Sequence, residues 1–170
     1  MKCANKTLKL AAIAATVMSA GMMLSTGAMA GGTTSLTVNA KISGVCKVTA
    51  APATLDFGTI DPSSGSNATA STSFTMKCSN GTTSTAATDD SGLYFSGGKR
   101  MRHSATATAF LPYAIAYSDD TGFAGAGFSG AAASQTVTIN GTITPAQFAD
   151  ALATTGAQVY ADTVTVTVNP

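Results

Sequence analysis

Glutamate is absent from all 170 residues, tryptophan is absent too, and histidine occurs once, as His103. A chain so poor in titratable groups offers little for general acid/base work, and no Gly-x-Ser-x-Gly elbow raises a nucleophilic serine. The lone His has no ligand-spaced neighbours, so no metal site is expected. Charged residues make up only 10%. The adjacent pairs Asp89-Asp90 and Asp119-Asp120 sit among turn formers and project to opposite sides of an extended chain, which reads as solvated turns rather than Ca²⁺ ligands. These absences exclude an enzyme, a cofactor and a small-molecule substrate from the expectation. What is plentiful is Ala, Thr, Ser and Gly, within a hydrophobic fraction of 45% that removes the chain from the disordered class.

The first thirty residues read as a Sec signal peptide, not as fold. Lys2, Lys6 and Lys9 form a basic region, an apolar run from Leu10 to Leu24 follows, and Ala28-Met29-Ala30 places the cut after Ala30. The run is interrupted by Ser19 and Gly21 and is short for a membrane span. Cys3 leaves with the signal. Beyond residue 30 there are six Lys and Arg against eight Asp, a formal charge of −2, which is no nucleic-acid-binding balance. Two cysteines remain, Cys46 and Cys78, and an even pair in an exported chain is expected to form a disulfide.

Strand signals recur along the rest. Residues 31–43 open loosely, then Leu36, Val38, Ala40 and Ile42 alternate with Thr37, Asn39 and Lys41 as a half-buried strand does. After a bend at Ser43-Gly44, strands are expected at Val45–Val48, Thr54–Ile60 and Thr72–Cys78, with a loop from Ser63 to Ser71. Residues 81–91 are small and polar and read as loop. Leu93-Tyr94-Phe95 reads as a short strand, and Lys99–His103 as a basic, solvated edge that discourages unwanted pairing. Phe110–Tyr117 puts Leu111, Tyr113, Ile115 and Tyr117 on one face, with Pro112 pointing to an edge. Gln135–Ile143 is another strand, in which Asn140-Gly141 marks a hairpin turn or a bulge. Thr144-Pro145 caps one helical turn. Asn67, Asn80 and Asn140 fit N-x-Ser/Thr but mainly support surface turns.

The strongest signal is the end of the chain. Thr163–Val168 alternates threonine and valine, so Val164, Val166 and Val168 share one face, and both residue types are β-branched. The sequence stops at Pro170, so the free edge of this strand is expected to lack a following partner. The whole pattern indicates an all-β antiparallel sandwich of one domain, residues 44–170, preceded by the segment 31–43.

Gly44-Val45-Cys46, Leu55-Asp56-Phe57-Gly58, Cys78, Leu111-Pro112-Tyr113-Ala114-Ile115-Ala116-Tyr117 and Tyr160-Ala161-Asp162 leading into Thr163–Val168 together resemble the spore coat protein U domain family, whose best-understood members look like archaic chaperone–usher pilins. That resemblance implies an incomplete immunoglobulin-like sandwich, completed first by a periplasmic chaperone and then, at an outer-membrane usher, by the N-terminal strand of the next subunit. It makes Leu36, Val38, Ala40 and Ile42 the donor plugs, Val164, Val166 and Val168 the acceptor strand, and Cys46–Cys78 the family disulfide. Ala40 departs from the pattern, being small where a larger aliphatic fills a pocket better. The implied role is a structural pilus subunit at the cell surface, in a homopolymer or with other pilins, serving adhesion or biofilm. A spore-coat or surface-layer component is the alternative on the same fold. A monomeric secreted carbohydrate-binding sandwich is the alternative of another class, and it would call for clustered aromatics that a chain with four Tyr and no Trp lacks.

Overall fold

A computed structural model describes residues 32–170. The expected signal peptide and the expected cut after Ala30 lie outside the described residues. Contacts divide the chain into two units, Met1–Asn39 and Ala40–Pro170. In the first, residues 32–39 have no regular secondary structure and are exposed. The second holds every strand.

The largest sheet is antiparallel and four-stranded, in the order β1 (Cys46–Ala50), β2 (Ala68–Cys78), β7 (Gln135–Ile143), β6 (Ala114–Ser118). Its centre is the β2–β7 pair, in unbroken register from Ala68↔Ile143 to Met76↔Gln135. Alternation works as the sequence reads: Phe74, Met76, Val137, Ile139 and Ile143 are buried, and the intervening Ser, Thr and Asn point outward. Cys46 lies opposite Cys78 and the two are joined by a disulfide. Closing that loop stabilises the fold by about 3–4 kcal/mol on the chain-entropy account.

Facing this sheet are two small ones, β3 (Thr85–Asp89) with β9 (Val166–Asn169), and β5 (Phe110–Pro112), β4 (Arg100–His103), β8 (Tyr160–Ala161) in that order. Both pair residues 85–103 with residues 160–169, so they are two halves of one interrupted layer. One core cluster joins Phe74, Met76, Val137 and Ile139 to Val166 and Val168; the other joins Leu111, Tyr113, Ile143 and Phe148 to Met101, Tyr160 and Val164. All pairings are antiparallel, and the only helix among the described residues is α1 (Pro145–Phe148), where the Gln147 side chain accepts from the Thr144 N–H. The architecture is all-β and consistent with an immunoglobulin-like sandwich.

Several elements differ from the sequence reading. Leu36–Ile42 forms no strand, because alternation supplies a face but no neighbour to hydrogen-bond. Thr54–Ile60 is also unpaired: the Asp56 carboxylate accepts from Gly58 N–H, and Gly58 has φ +64°, which bends the chain away from strand geometry. Conversely, β3 lies in the small, polar tract read as loop, where its backbone rather than its side chains makes the pairing with β9. β2 begins at Ala68, inside the stretch read as loop to Ser71. Leu93-Tyr94-Phe95 is a turn region after Ser91 and Gly92, both at positive φ. Phe110–Tyr117 is two strands, broken after Pro112, and it crosses from one layer to the other. Gly141 is neither turn nor bulge: it pairs in register with Ala70 and Ile115. A Cβ there would lie 2.6 Å from the Phe57 ring and 2.8 Å from Leu55, so only glycine admits both side chains.

Candidate functional site

β9 has one strand partner, β3, and β8 has one, β4. Between β8 and β9, residues 162–165 join neither sheet; their backbone is held by carboxylates instead. Thr165 N–H donates to Asp90 Oδ1 at 2.9 Å, and Asp90 N–H donates to Thr165 O at 3.1 Å. Thr165 thus directs both backbone groups toward residue 90. By strand alternation the amides and carbonyls of Val164, Val166 and Val168 face the opposite edge, where no strand is hydrogen-bonded to them among the described residues. Their side chains are half-buried and the threonines between them exposed.

That edge borders an open groove of about 310 Å³. Pro52–Leu55 and Phe57 form one wall, Asp162–Val164 and Val166 the other, and Ile115 and Ile139 belong to its floor. Leu55 and Phe57 reach it by lying over Gly141, although their own backbone is unpaired. The volume falls at the low end of the about 300–1,000 Å³ usual for ligand pockets. A small molecule also needs convergent polar groups that are free to orient it, and here they are occupied with one another. Tyr113 donates its hydroxyl to Asp162 at 2.7 Å, and Tyr117 donates to Asp89 at 2.8 Å. Thr72 donates to Ala53 O. What remains is apolar surface, suited to aliphatic side chains.

Tyr117, on β6 of the four-stranded sheet, reaches Asp89 of β3 in the facing layer, while Tyr113, between β5 and β6, ties to Asp162 beside β8. Burial pushes both phenols up, and the accepting carboxylates push them further, so they stay protonated donors. Burial would raise Asp89 as well, but the Lys99 ammonium at 2.8 Å and the Tyr117 hydroxyl outweigh it and hold the carboxyl below its usual range. Asp90 is held low by the Thr165 amide it accepts from.

The readings of candidate residues therefore divide. Val164, Val166 and Val168 line up on the free edge; Leu36, Val38, Ala40 and Ile42 are exposed, in no pairing among the described residues. Asp89 is ion-paired with Lys99 rather than solvated; Asp90 is exposed and caps the turn at Gly92 as read, and it also accepts from the last strand's Thr165 N–H. Asp120 accepts from Ala87 N–H. No group of acids, Cys and His arranged for a metal occurs among the described residues. Nor is Lys99–His103 an edge, since β4 is paired on both sides. His103 is buried, its Nδ1 accepting from the Ala105 and Thr106 N–H groups, which makes it a turn cap. Sequence reasoning missed the wall made by Leu55 and Phe57 and the Tyr–Asp ties. Inward-facing tyrosines were visible; their acceptors, 28 and 49 residues away, were not.

No curated protein matches the chain. No helix among the described residues is long and apolar enough to cross a membrane. The sequence model of the Spore Coat Protein U domain matches residues 32–167, which takes in every strand described above up to Thr167. The chain belongs to the Spore Coat Protein U domain family, a family of surface and pilus-type structural domains.

Proposed function

We propose that this protein is a structural subunit of a surface fibre assembled by a periplasmic chaperone and an outer-membrane usher, and that it polymerises by lending residues 36–42 to the groove of the next subunit. The observation that carries this reading is the apolar groove lined by Val164 and Val166, on the strand edge that, as far as Val168, has no hydrogen-bonded strand among the described residues. The same chain carries an alternating apolar segment, Leu36–Ile42, that pairs with nothing among the described residues. An exposed strand edge templates another chain, and an extended segment supplies both ladder hydrogen bonds and plugs for alternate pockets. Burying each large plug gains about 1.5–3 kcal/mol. Export by a cleaved signal and passage through the periplasm fit a chain whose two remaining cysteines are bonded.

A chain lacking residues 31–42 tests this directly. It keeps the groove and should still bind its chaperone, but it has nothing to donate. Electron microscopy should show fibres from the full chain and none from the shortened one. Fibres of ordinary length from the shortened chain would place the donor elsewhere.

A further inference from the structure

Arg100 and Arg102 lie on β4, which pairs with β5 along its length and with β8 at Arg102 and His103. Alternation sends Met101 and His103 into the core and both arginines to the opposite face of the sheet. There each guanidinium carbon lies over a ring: Arg100 Cζ is 3.9 Å from the Phe110 centroid and Arg102 Cζ 4.5 Å from that of Tyr94. Arg100 Nε also donates to the Tyr94 carbonyl at 2.6 Å. Long side chains that normally lose much freedom on binding are thus already held in place. Neither arginine has a carboxylate partner among the described residues, where the one ion pair is Lys99–Asp89. Three of the six cations beyond residue 30 fall within these four positions, 99 to 102.

We infer that this arginine face binds the carboxylates of an acidic polysaccharide, a polymer of uronic acid. A guanidinium presents a planar fork that matches a carboxylate. A single exposed pair is worth only about 0–1 kcal/mol. Repetition changes this: linked sites on a repeating ligand raise avidity on the order of 10²–10⁴. That amplification rests on the fibre reading, because a fibre repeats the face once per subunit. An anionic bilayer fits less well. It would present a plane of charge to residues 31–170, whose formal charge is −2, whereas one polymer strand lies along the patch alone.

The test couples the exported chain, in whatever assembly state it is recovered, to a sensor surface and passes polygalacturonate or neutral dextran over it at about 0.15 M salt. Polygalacturonate should be retained and dextran not. Arg102→Gln should weaken retention several-fold, and Arg100→Gln with Arg102→Gln by roughly tenfold or more. Removing the same charge from the four-stranded sheet, by Lys47→Gln with Lys77→Gln, should change it less than about twofold. The exposed Arg102→Gln variant, with its melting temperature checked, keeps the result independent of any folding defect at Arg100. Equal loss in the lysine pair, no retention by the parent chain, or stronger retention of phosphatidylglycerol vesicles overturns the inference. Electron microscopy of the same preparation reads out fibres separately. A chain that polymerises but ignores the polymer sinks this inference and leaves the fibre reading standing; one that binds without polymerising does the reverse.

Discussion

Leu36, Val38 and Ile42 alternate with polar residues as strictly as Val164, Val166 and Val168 do, yet the first three are between 81% and 93% exposed while the valines are half-buried in the core. Composition does not separate the two stretches, since both place aliphatic side chains on one face. What separates them is neighbours. The valine stretch has β3 and the Asp90 carboxylate along one edge and a facing sheet beneath its side chains. The leucine stretch has neither among the described residues. Alternation specifies a face that wants burial; it does not specify what covers it. One stretch lacks a strand on one side, and the other lacks a sheet altogether.

The sharpest break of that comparison is a charge on one face of the donor stretch. Val38→Asp should abolish polymers, because an unpaired charge in an apolar groove costs about 3–5 kcal/mol. That is a loss of more than about a hundredfold in association. Thr37→Asp, one residue away on the other face, should leave polymers intact. Heat-sensitive ladders on gels measure both. The two variants behaving alike would mean that face parity plays no part in assembly.

Next in size is the disulfide, which belongs to the acceptor body alone. Replacing Cys46 and Cys78 by serine should remove about 3–4 kcal/mol of stability, read by denaturant unfolding of chaperone-released protein. Donor variants such as Val38→Asp should leave that figure unchanged, since Val38 touches no core. If the donor variant destabilises the body as much as loss of the bridge does, the two stretches are not independent in the way their exposure indicates.

How much of this was legible beforehand follows from the same contrast. The faces of β2, β7 and the last strand could be read, because period-two alternation with Val, Ile, Phe and Met survives into burial. The cap at Thr144-Pro145 could be read from its spacing, and Gln147 completes it. Where pairing depends on backbone, the signal vanished: Thr85–Asp89 has almost no apolar side chain and still forms β3. Where a side chain packs without its backbone, the signal misled, as at Leu55 and Phe57. Gly141 was read as a break because glycine alone does not reveal that two large side chains from another segment fill its missing Cβ. The groove was foreseen only as an edge without a partner; its walls depend on long-range packing that no local pattern encodes.

A smaller test stays within the valine stretch. Val166→Ala removes two methyl groups at about 0.8 kcal/mol each, discounted to about 1 kcal/mol for half burial. Thr167→Ala, exposed on the other face, should fall within about 0.5 kcal/mol of the parent. Equal costs at the two positions would contradict the alternation of half-buried valines and exposed threonines.

The smallest expected effect concerns acid, and it asks whether the last strand is held by charge as well as by packing. Asp89 is raised by burial but lowered more by Lys99 and Tyr117, and Asp90 is lowered chiefly by the Thr165 amide. Both carboxyls therefore have folded pKa values below the ordinary carboxylate value of about 3.9. A depressed carboxylate contributes stability that is fully present above its unfolded pKa and is lost as pH falls through its folded one. Stability should be flat from neutral pH down to about pH 5 and then decline below about pH 4. Asp89→Asn with Asp90→Asn should lie below the parent at neutral pH and converge toward it in acid, because the parent loses on protonation what the variant already lacks. Asp61, also held low but by Ser63 in an exposed loop that does not line the groove, supplies the control, since Asp61→Asn should leave protection of the Thr165 amide unchanged. Hydrogen exchange at Thr165, whose N–H donates to Asp90, should quicken in the double variant at neutral pH relative to the parent. If protection there is unaltered, the carboxylate clamp contributes nothing and packing of Val164 and Val166 alone holds the strand.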